Sequence, residues 1–370
     1  MDGPTIQAVE DERALRAFLR FPERLYHNDP CWVPPLRRDE RARLSPSNPF
    51  FTHAEVGLFL ARQGDEVLGR VGAIVDRWHL ERWKDGAGFF GFFEAVADDG
   101  IAGSLLAAAR EWLRDQGVRV MRGPFSPSTH DECGLLVEGF QQPPRILMTY
   151  NPPYYAGLLE RAGLRAIHEL LTYDMNVPPT LPDKIERLAR AVEERGVRVR
   201  RLDRARMTAE TEVFRTIYNA AWAENWGFVP MGEGEAAEMA SRLRQIVVPE
   251  LALFAEWDGR PVAFLLLLPD LNPAIRLLKG RVTPWGLVRF LWKQRRLEEV
   301  RLLVLGVLPE YRRRGIEALL LREAYGSVRR LGFRRVEIGW VLEDNKVTRQ
   351  ATERWGAWVA KRYRIYEGAV

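Results

Sequence analysis

The late part of the chain contains an apolar run, then a basic turn with a glycine, then a strongly periodic segment. The run is Leu303–Val307, the turn carries arginines at 312–314 followed by Gly315, and the periodicity predicts a helix over 315–330. A strand that enters a helix through such a turn directs backbone N–H groups and the positive end of the helix dipole to one point. Because a phosphate group binds such donors, we predict a pyrophosphate-binding site at the start of this helix.

The order of predicted elements in the second half repeats the order in the first half. Glycine-containing turns at 63–65 and 257–259 each predict a β-hairpin. A strand, an amphipathic helix and a further strand follow each hairpin, over 88–96, 101–116 and 117–121 and again over 301–307, 315–330 and 332–338. We therefore predict an internal duplication in which each copy is an α/β mixed sheet with helices, so that the fold class is α+β.

Three prolines at 178, 179 and 182 break any regular element between the two copies. We place an N-terminal domain at 1–178, a linker with a helix at 179–196 and a C-terminal domain at 197–370. The offset between matching glycines predicts an insert before the apolar run of the second copy, at 271–299.

Composition restricts the class of protein and of ligand. The 370 residues are enough for two domains, and 46% hydrophobic with 28% charged residues is typical of a soluble globular protein. No apolar run approaches the length of a membrane span, and the first residues lack a signal-peptide pattern, so a cytoplasmic location is expected. A net charge of +5 suits an anionic ligand, whereas arginines interspersed with glutamates and the lack of a nucleic-acid motif argue against nucleic acid.

The segment from Leu303 to Ala318 resembles the acyl-CoA-binding signature of the GNAT N-acetyltransferase superfamily. Arg312 and Gly315 match that signature in identity and spacing, whereas Glu317 stands where the superfamily usually has glycine or alanine. The whole chain resembles a group of uncharacterised bacterial tandem-GNAT proteins, which implies two tandem GNAT-like domains, each a twisted mixed β-sheet flanked by helices. The first copy has Asp98 and Asp99 in place of the basic turn, so we predict that it is a degenerate copy.

The resemblance implies where acyl-CoA would bind. It places the pantetheine along Leu305, Gly306 and Val307, and the pyrophosphate at the start of the following helix. The residues it implies for the phosphates are Arg312, Arg313, Arg314, Gly315 and Ile316, with Asn345 as a further contact.

Acyl transfer to an amine also needs a base, and a proton for the leaving thiolate. Glu299, Glu337, Glu343 and Asp344 are the candidate bases, and Glu343 and Asp344 have the better claim because they precede Asn345, which resembles the usual asparagine of the superfamily. The tyrosine expected seven residues after that asparagine is replaced by Thr352. Tyr363 and Tyr366 are candidate substitutes, so we predict Glu343, Asn345 and Tyr363 as catalytic residues.

An aromatic and polar cluster in the second copy predicts the acceptor side. It contains more aromatic residues than a surface loop needs, and its members are Tyr218, Trp222, Asn225, Trp226 and Phe228. The insert at 271–299 predicts an amphipathic basic helix, which could cover an acyl chain, touch a membrane surface or pack on the first domain.

These features predict an N-acyltransferase, first of all an N-acetyltransferase, that moves an acyl group from acetyl-CoA or a longer acyl-CoA to an amine. The acceptor would be a small molecule or a peptide. A membrane partner is not favoured, although the insert could touch an apolar ligand, and no metal is expected because metal-ligand spacing is absent from the sequence. Two alternatives stay open: a non-catalytic pseudo-acetyltransferase that binds acyl-CoA or a partner, suggested by Glu317 and Thr352, and a long-chain acyltransferase, suggested by the apolar insert.

Overall fold

The structure is a computed structural model that describes residues 4–370. The chain divides into two compact units. The first unit comprises the chain up to Leu170 together with Ala274–Leu291 and Lys361–Val370. The second unit comprises Leu171–Pro273 and Trp292–Ala360.

Fifteen strands and twelve α-helices are formed within the described residues. The strands are β1 (Thr5–Ala8), β2 (Ala54–Gln63), β3 (Glu66–Asp76), β4 (Ala87–Ala95), β5 (Val120–Gly123), β6 (Phe125–Ser126), β7 (Glu132–Cys133), β8 (Leu135–Glu138), β9 (Arg165–Asn176), β10 (Arg198–Arg201), β11 (Ala252–Trp257), β12 (Arg260–Pro269), β13 (Glu299–Val307), β14 (Arg335–Leu342) and β15 (Trp358–Ala369). The helices are α1 (Glu12–Leu25), α2 (Arg37–Arg43), α3 (Arg77–Trp83), α4 (Asp99–Asp115), α5 (Tyr155–Arg161), α6 (Asp183–Glu194), α7 (Met207–Trp222), α8 (Glu233–Leu243), α9 (Asn272–Ile275), α10 (Pro284–Gln294), α11 (Ile316–Arg330) and α12 (Lys346–Arg354).

The first unit contains a mixed sheet in the order β1-β2-β3-β4-β5-β15. The β2–β3 hairpin and the β3–β4 pair are antiparallel, whereas β4 and β5 are parallel and are connected by α4. Helix α4 buries Ile101, Leu105, Ala109 and Leu113, in agreement with the periodicity of the sequence. Its Trp112 lies against Gly57 of β2, where a Cβ atom would come within 2.8 Å of the indole.

The second unit repeats this order. Strands β10, β11, β12 and β13 are antiparallel neighbours, and β13 is parallel to β14, to which α11 connects it. The predicted fold class is therefore confirmed, with a mixed sheet and flanking helices in each copy. Helix α11 packs against α6, where Arg322 donates to Glu193 at 2.9 Å. Its apolar side is buried through Ile316, Leu319 and Leu320.

The compact units do not follow the predicted boundaries at 178 and 196. The last strand is part of the reason, because Tyr366 of β15 pairs with Gly123 of β5 in the first unit. Lys361 adds two hydrogen bonds there, from its ammonium group to the carbonyl oxygens of Gln142 and Pro143 at 2.8 and 2.7 Å. Most of the insert also belongs to the first unit, since Ala274–Leu291 is assigned to it. The last strand and the insert therefore belong to the first unit because they pair or pack with residues that are far away in the sequence.

None of the helices within residues 4–370 combines the length and the apolar composition that crossing a membrane requires.

Candidate active site

Strands β13 and β14 separate where the acyl-CoA signature begins. Their parallel register starts at Glu299 and Arg335 and ends at Leu302 and Ile338, although both strands continue for several residues. On its other side β13 stays paired with β12 as far as Val307. The separation therefore opens the edge of β13 that faces β14, and backbone groups on such an edge can pair with a bound extended chain.

The residues on this open part of β13 are apolar and only partly buried. Leu303, Val304 and Leu305 keep intermediate exposure, whereas Gly306 and Val307 are buried. These residues include the predicted pantetheine contacts Leu305, Gly306 and Val307. Their arrangement suits a ligand that has both amide groups and methylene groups, because backbone edges bind the first and leucine side chains pack against the second.

Helix α11, which follows the turn after β13, has no side-chain cap at its N-terminus. Gly315 is the N-cap residue with φ 84, and no side chain accepts a hydrogen bond from the first turn of the helix. Only glycine adopts such a φ readily, and a Cβ there would also come within 3.2 Å of Val192. The helix therefore begins with N–H donors and a positive dipole end that an anion can use.

The N-terminus of the corresponding helix of the first unit, α4, is capped by a side chain. Asp98 is the N-cap of α4, and its carboxylate accepts from the backbone N–H of Ile101 at 2.9 Å. Asp99 forms an ion pair with Arg161 at 2.7 Å. An anion would meet a carboxylate at this helix start instead of free donors, which is consistent with the predicted degenerate copy.

The first unit also carries a largely buried carboxylate, Glu94, on β4, the strand that corresponds to β13. The hydroxyls of Tyr26 and Tyr155 each donate to Glu94 Oε2 at 2.7 Å. Burial raises the pKa of Glu94 to about 7, against the opposing effect of Arg70 and the two tyrosines. Because its polar partners come from the protein itself, we interpret this cluster as part of the core of the first unit.

The three arginines of the turn have different surroundings. Arg312 donates to the carbonyl oxygen of Ala221 at 2.6 Å, near the end of α7. The Arg314 guanidinium lies over the rings of Trp257 and Tyr311, at 5.2 and 5.3 Å from the ring centroids. Arg313 is exposed, and residues 4–370 provide no ion pair for it. Arg313 is therefore the arginine of this turn that a phosphate could engage without displacing an existing contact.

Helix α7 brings the predicted acceptor side next to the predicted pantetheine strand. A Cβ atom on Gly306 would lie 3.0 Å from Trp222 Cη2 and 3.2 Å from Ala221 Cβ, and closer still to Trp222 Cζ3. The indole of Trp222 therefore packs directly on the bare backbone of Gly306. The absence of a side chain at 306 is what permits this approach.

The other predicted acceptor residues extend from Trp222. Tyr218 stacks on Trp222 with ring centroids 4.9 Å apart, and Phe228 meets Tyr218 edge-on at 5.5 Å. Asn225 is exposed and Trp226 is partly buried in the same loop. The loop is anchored by Asn219, whose amide exchanges two hydrogen bonds with the backbone of Met231 at 2.8 and 3.0 Å. Tyr218, Trp222 and Phe228 thus form one aromatic stack beside β13, while Asn225 lies at the surface.

The predicted catalytic residues lie in different units. Glu343 and Asn345 are exposed in the second unit, where Asn345 caps α12 by accepting from the N–H of Thr348 at 3.1 Å. Tyr363 is in the first unit, completely buried, and pairs with Leu136 of β8. Thr352 is 7% exposed on α12. The catalytic roles of Glu343, Asn345 and Tyr363 stay predictions.

A tyrosine that the sequence analysis missed also reaches α12. Tyr173 of β9 donates from its hydroxyl to Glu353 at 3.1 Å and accepts from Arg349 Nε at 3.3 Å. Burial is the main cause that raises the pKa of Tyr173, and Arg349 acts against it. The hydroxyl therefore stays protonated at neutral pH, and its hydrogen is held by Glu353. The sequence carried no signal for this placement, because Tyr173 precedes α12 by far in the chain.

A buried ion pair lies next to the point where β13 and β14 separate. Arg301 and Glu337 oppose each other in register, are 1% and 2% exposed, and approach to 3.5 Å between Nε and Oε1. Arg301 also donates to the carbonyl oxygen of Gly339 at 3.2 Å. Glu337 was one of the candidate bases. Removing one member of such a pair typically costs about 3–5 kcal/mol, so the pair is a strong constraint on the geometry of the opening.

No group of three or more His, Cys, Asp or Glu side chains is placed to hold a metal ion in the described part, residues 4–370.

Comparison with known proteins identifies the class to which this architecture belongs. The model of the acetyltransferase (GNAT) family matches residues 211–357, which include most of α7 and all of β13, the basic turn and α11. Solved structures of the same fold extend over both units. A tandem GNAT protein from the clavulanic acid biosynthesis pathway has a TM-score of 0.56 at 13% identity, and covers 99% of this chain and 98% of its own. A GCN5-related N-acetyltransferase from Sphaerobacter thermophilus has a TM-score of 0.53 at 16% identity, over 99% of this chain and 95% of its own.

Two relatives match this chain over nearly its whole length. Protein YghO of Escherichia coli (strain K12) is 36% identical over 373 residues, which cover 98% of this chain and 94% of that protein. A protein named bacterial ceramide synthase, from Caulobacter vibrioides (strain NA1000 / CB15N), is 35% identical over 370 residues, covering 98% and 96%. The chain belongs to the GNAT acetyltransferase family and has the tandem architecture predicted from its sequence.

Proposed function

We propose that the protein is an acyl-CoA-dependent N-acyltransferase that uses the opening of its second unit. The observation that carries this proposal is the contrast between the two copies. In the second unit an open apolar strand edge leads into an uncapped helix, α11, whereas Asp98 closes the matching helix of the first unit. An acyl-CoA has an extended amide-containing arm and a pyrophosphate, and the open copy offers complementary groups to both.

The proposed reaction joins the acyl carbon to the amine nitrogen and breaks the bond between the acyl carbon and sulfur. The ammonium form of the acceptor has to lose a proton, which costs about 4–5 kcal/mol at neutral pH for an alkyl amine of pKa near 10.4. A carboxylate such as Glu343 would accept that proton, and a tyrosine hydroxyl would supply one to the leaving thiolate. A backbone N–H of the open edge, near Leu305–Val307, would stabilise the oxyanion.

Two observations favour long acyl chains over acetyl groups. The relative from Caulobacter vibrioides is named a ceramide synthase, and a ceramide is an N-acylated long-chain amino alcohol. In this chain the open part of β13 presents leucine and valine side chains that remain partly exposed, which suits methylene groups. We therefore propose a long-chain acyl-CoA as donor and the amine of a long-chain amino alcohol as acceptor, with acetyl transfer to a small amine as the competing activity.

The test is product formation from defined donors and acceptors. The purified protein would be incubated with acetyl-CoA or palmitoyl-CoA, and with sphinganine or a short alkyl amine, and N-acylated products would be measured by mass spectrometry. Gly315→Glu places a carboxylate at the start of α11 and should remove binding of either thioester in calorimetry. Gly332→Glu is the matched control, because Gly332 also has a positive φ of 83 but no atom within 4 Å of its Cβ position.

We expect N-palmitoyl sphinganine as the main product, lost in Gly315→Glu and retained in Gly332→Glu. If only N-acetyl products form, the proposal of an acyltransferase stands, but the proposal of a long-chain donor is overturned. Thioester binding without any product would favour the non-catalytic alternative that Glu317 and Thr352 suggested. Unchanged thioester affinity in folded Gly315→Glu would refute the site itself.

A further inference from the structure

The insert before β13 is strongly basic, and its part from Leu271 to Leu297 contains no acidic residue. Its basic residues are Arg276, Lys279, Arg281, Arg289, Lys293, Arg295 and Arg296. The rest of the chain mixes both signs of charge, so this segment is an isolated block of positive charge.

Helix α10 of this insert has large apolar side chains on its exposed face. The exposed fractions are 80% for Trp285, 57% for Val288, 56% for Trp292, 48% for Leu291 and 42% for Leu287. At about 100° per residue these five positions fall within one arc of the helix. Val282, just before the helix, is 62% exposed as well. We call these six side chains the α10 apolar face.

The opposite side of the segment is fixed to the first unit. Gly286 is buried, and its N–H donates to the Thr283 hydroxyl at 3.1 Å. Leu278 is 7% exposed, and the carbonyl oxygen of Gly280 accepts from the backbone N–H of Arg37 at 3.2 Å. The segment is therefore tied to α2 of the first unit at Gly280, and Gly286 packs against Leu278 within the segment, while the α10 apolar face stays exposed.

We propose that the α10 apolar face is a docking surface for an anionic lipid bilayer, on which α10 lies in the plane of the interface. An apolar stripe with tryptophans at two of its positions and basic residues around it is the composition of interfacial helices. The arginines would bind lipid phosphates while the indoles and aliphatic side chains enter the boundary between headgroups and acyl chains. The inference does not depend on the proposed function, since it can be measured without substrate.

The charge distinguishes a lipid surface from the other possible occupants. A second copy of the chain would bring a second set of like charges to the same patch, and seven basic residues without a carboxylate would repel it. The Arg296 guanidinium lies over the Trp292 ring at 4.1 Å, so charge and apolar surface are adjacent even at the end of the helix. An anionic bilayer satisfies both features at once, through its phosphates and its hydrocarbon.

The test is co-sedimentation of the full chain with vesicles of two compositions. One set contains phosphatidylcholine alone, and the other contains equal parts of phosphatidylcholine and phosphatidylglycerol. The double variant Trp285→Gln/Val288→Gln removes apolar area from side chains that make little contact with the protein, so the fold is retained. Trp358→Gln is the matched control, since Trp358 is also exposed, at 42%, but lies on β15. Arg281→Gln/Arg289→Gln tests the charge.

We expect binding to the anionic vesicles, weakened at least about tenfold by the apolar double variant and unchanged by Trp358→Gln. The affinity of the arginine variant for anionic vesicles should fall about fivefold for each charge removed, and added salt should also weaken the binding. Absence of binding to both vesicle types, or binding that the apolar double variant leaves unchanged, would overturn the proposal. A dimer in light scattering that the apolar double variant dissociates would overturn it in favour of a second copy.

Discussion

Replacement of Gly306 by alanine should disrupt the contact between the open strand and the aromatic stack. The new methyl group would lie 3.0 Å from Trp222 Cη2, and closer still to Cζ3, whereas carbon atoms pack at about 3.5–4.0 Å. The indole must therefore move by more than about 0.5 Å. It cannot move alone, because Tyr218 is stacked on it at 4.9 Å and Phe228 on Tyr218 at 5.5 Å.

The expected cost in the free energy of unfolding is about 1–3 kcal/mol, the usual range for an added methyl group in a packed site. Gly306 does not have a positive φ, so the cost is steric and not conformational. Gly326→Ala is the control for the substitution itself. Gly326 lies inside α11 with no atom within 4 Å of its Cβ position, and alanine there should stabilise the protein by up to about 1 kcal/mol.

The assay is urea unfolding of Gly306→Ala, Trp222→Leu and the double variant. Leucine at 222 removes the ring that the methyl group would meet, so the double variant should be less destabilised than the sum of the single variants, by about 1–3 kcal/mol. Calorimetry with palmitoyl-CoA should show weaker binding for Gly306→Ala, because the displaced indole leaves less space for a ligand along the open edge of β13. Additive effects of the two substitutions, or a Gly306→Ala variant as stable as the wild type, would refute the packing of Trp222 on Gly306.

Two further predictions concern the first unit. The folded state raises the pKa of Glu94 from 4.5 to about 7, so its contribution favours folding below about pH 4.5 and is lost as the pH rises through about 7. As the pH rises across this interval, Glu94→Gln should therefore gain about 3–4 kcal/mol in the free energy of unfolding relative to wild type (about 2.5 pKa units at about 1.4 kcal/mol each). A difference between the two proteins that stays constant in urea unfolding across pH would contradict this. Asp98→Ala removes the cap of α4 and should lower stability by about 1 kcal/mol while acyl-CoA affinity stays unchanged, as checked by thermal unfolding and calorimetry. Loss of affinity in this variant would show that the first copy takes part in binding.

Local sequence determined the elements and their order. The turn residues at 63–65 and 257–259 predicted the β2–β3 and β11–β12 hairpins, because a tight turn needs backbone conformations that only a few residue types, glycine above all, adopt readily. The apolar period predicted α4 and α11 to within about two residues at each end, since a helix buries one stripe of its own surface. The signature around Arg312 and Gly315 could be located for the same reason, because the strand, the turn and the helix are contiguous in the chain.

Only the tertiary structure decided what each side chain of the signature contacts. The sequence treats Arg312, Arg313 and Arg314 alike, yet one meets Ala221, one meets two aromatic rings and one stays exposed. The packing of Trp222 on Gly306 likewise joins residues that are far apart in the chain.

The assignment of the last strand and of the insert also required the fold. Tyr363 lies in the C-terminal copy by sequence, but it pairs with β8, residues 366–369 pair with β5, and Lys361–Val370 belong to the first unit. The sequence predicts an amphipathic basic helix in the insert and leaves open what covers it, whereas the structure shows that the apolar side of α10 is exposed. Periodicity states that a face is apolar, and the packing of distant residues determines whether that face is covered.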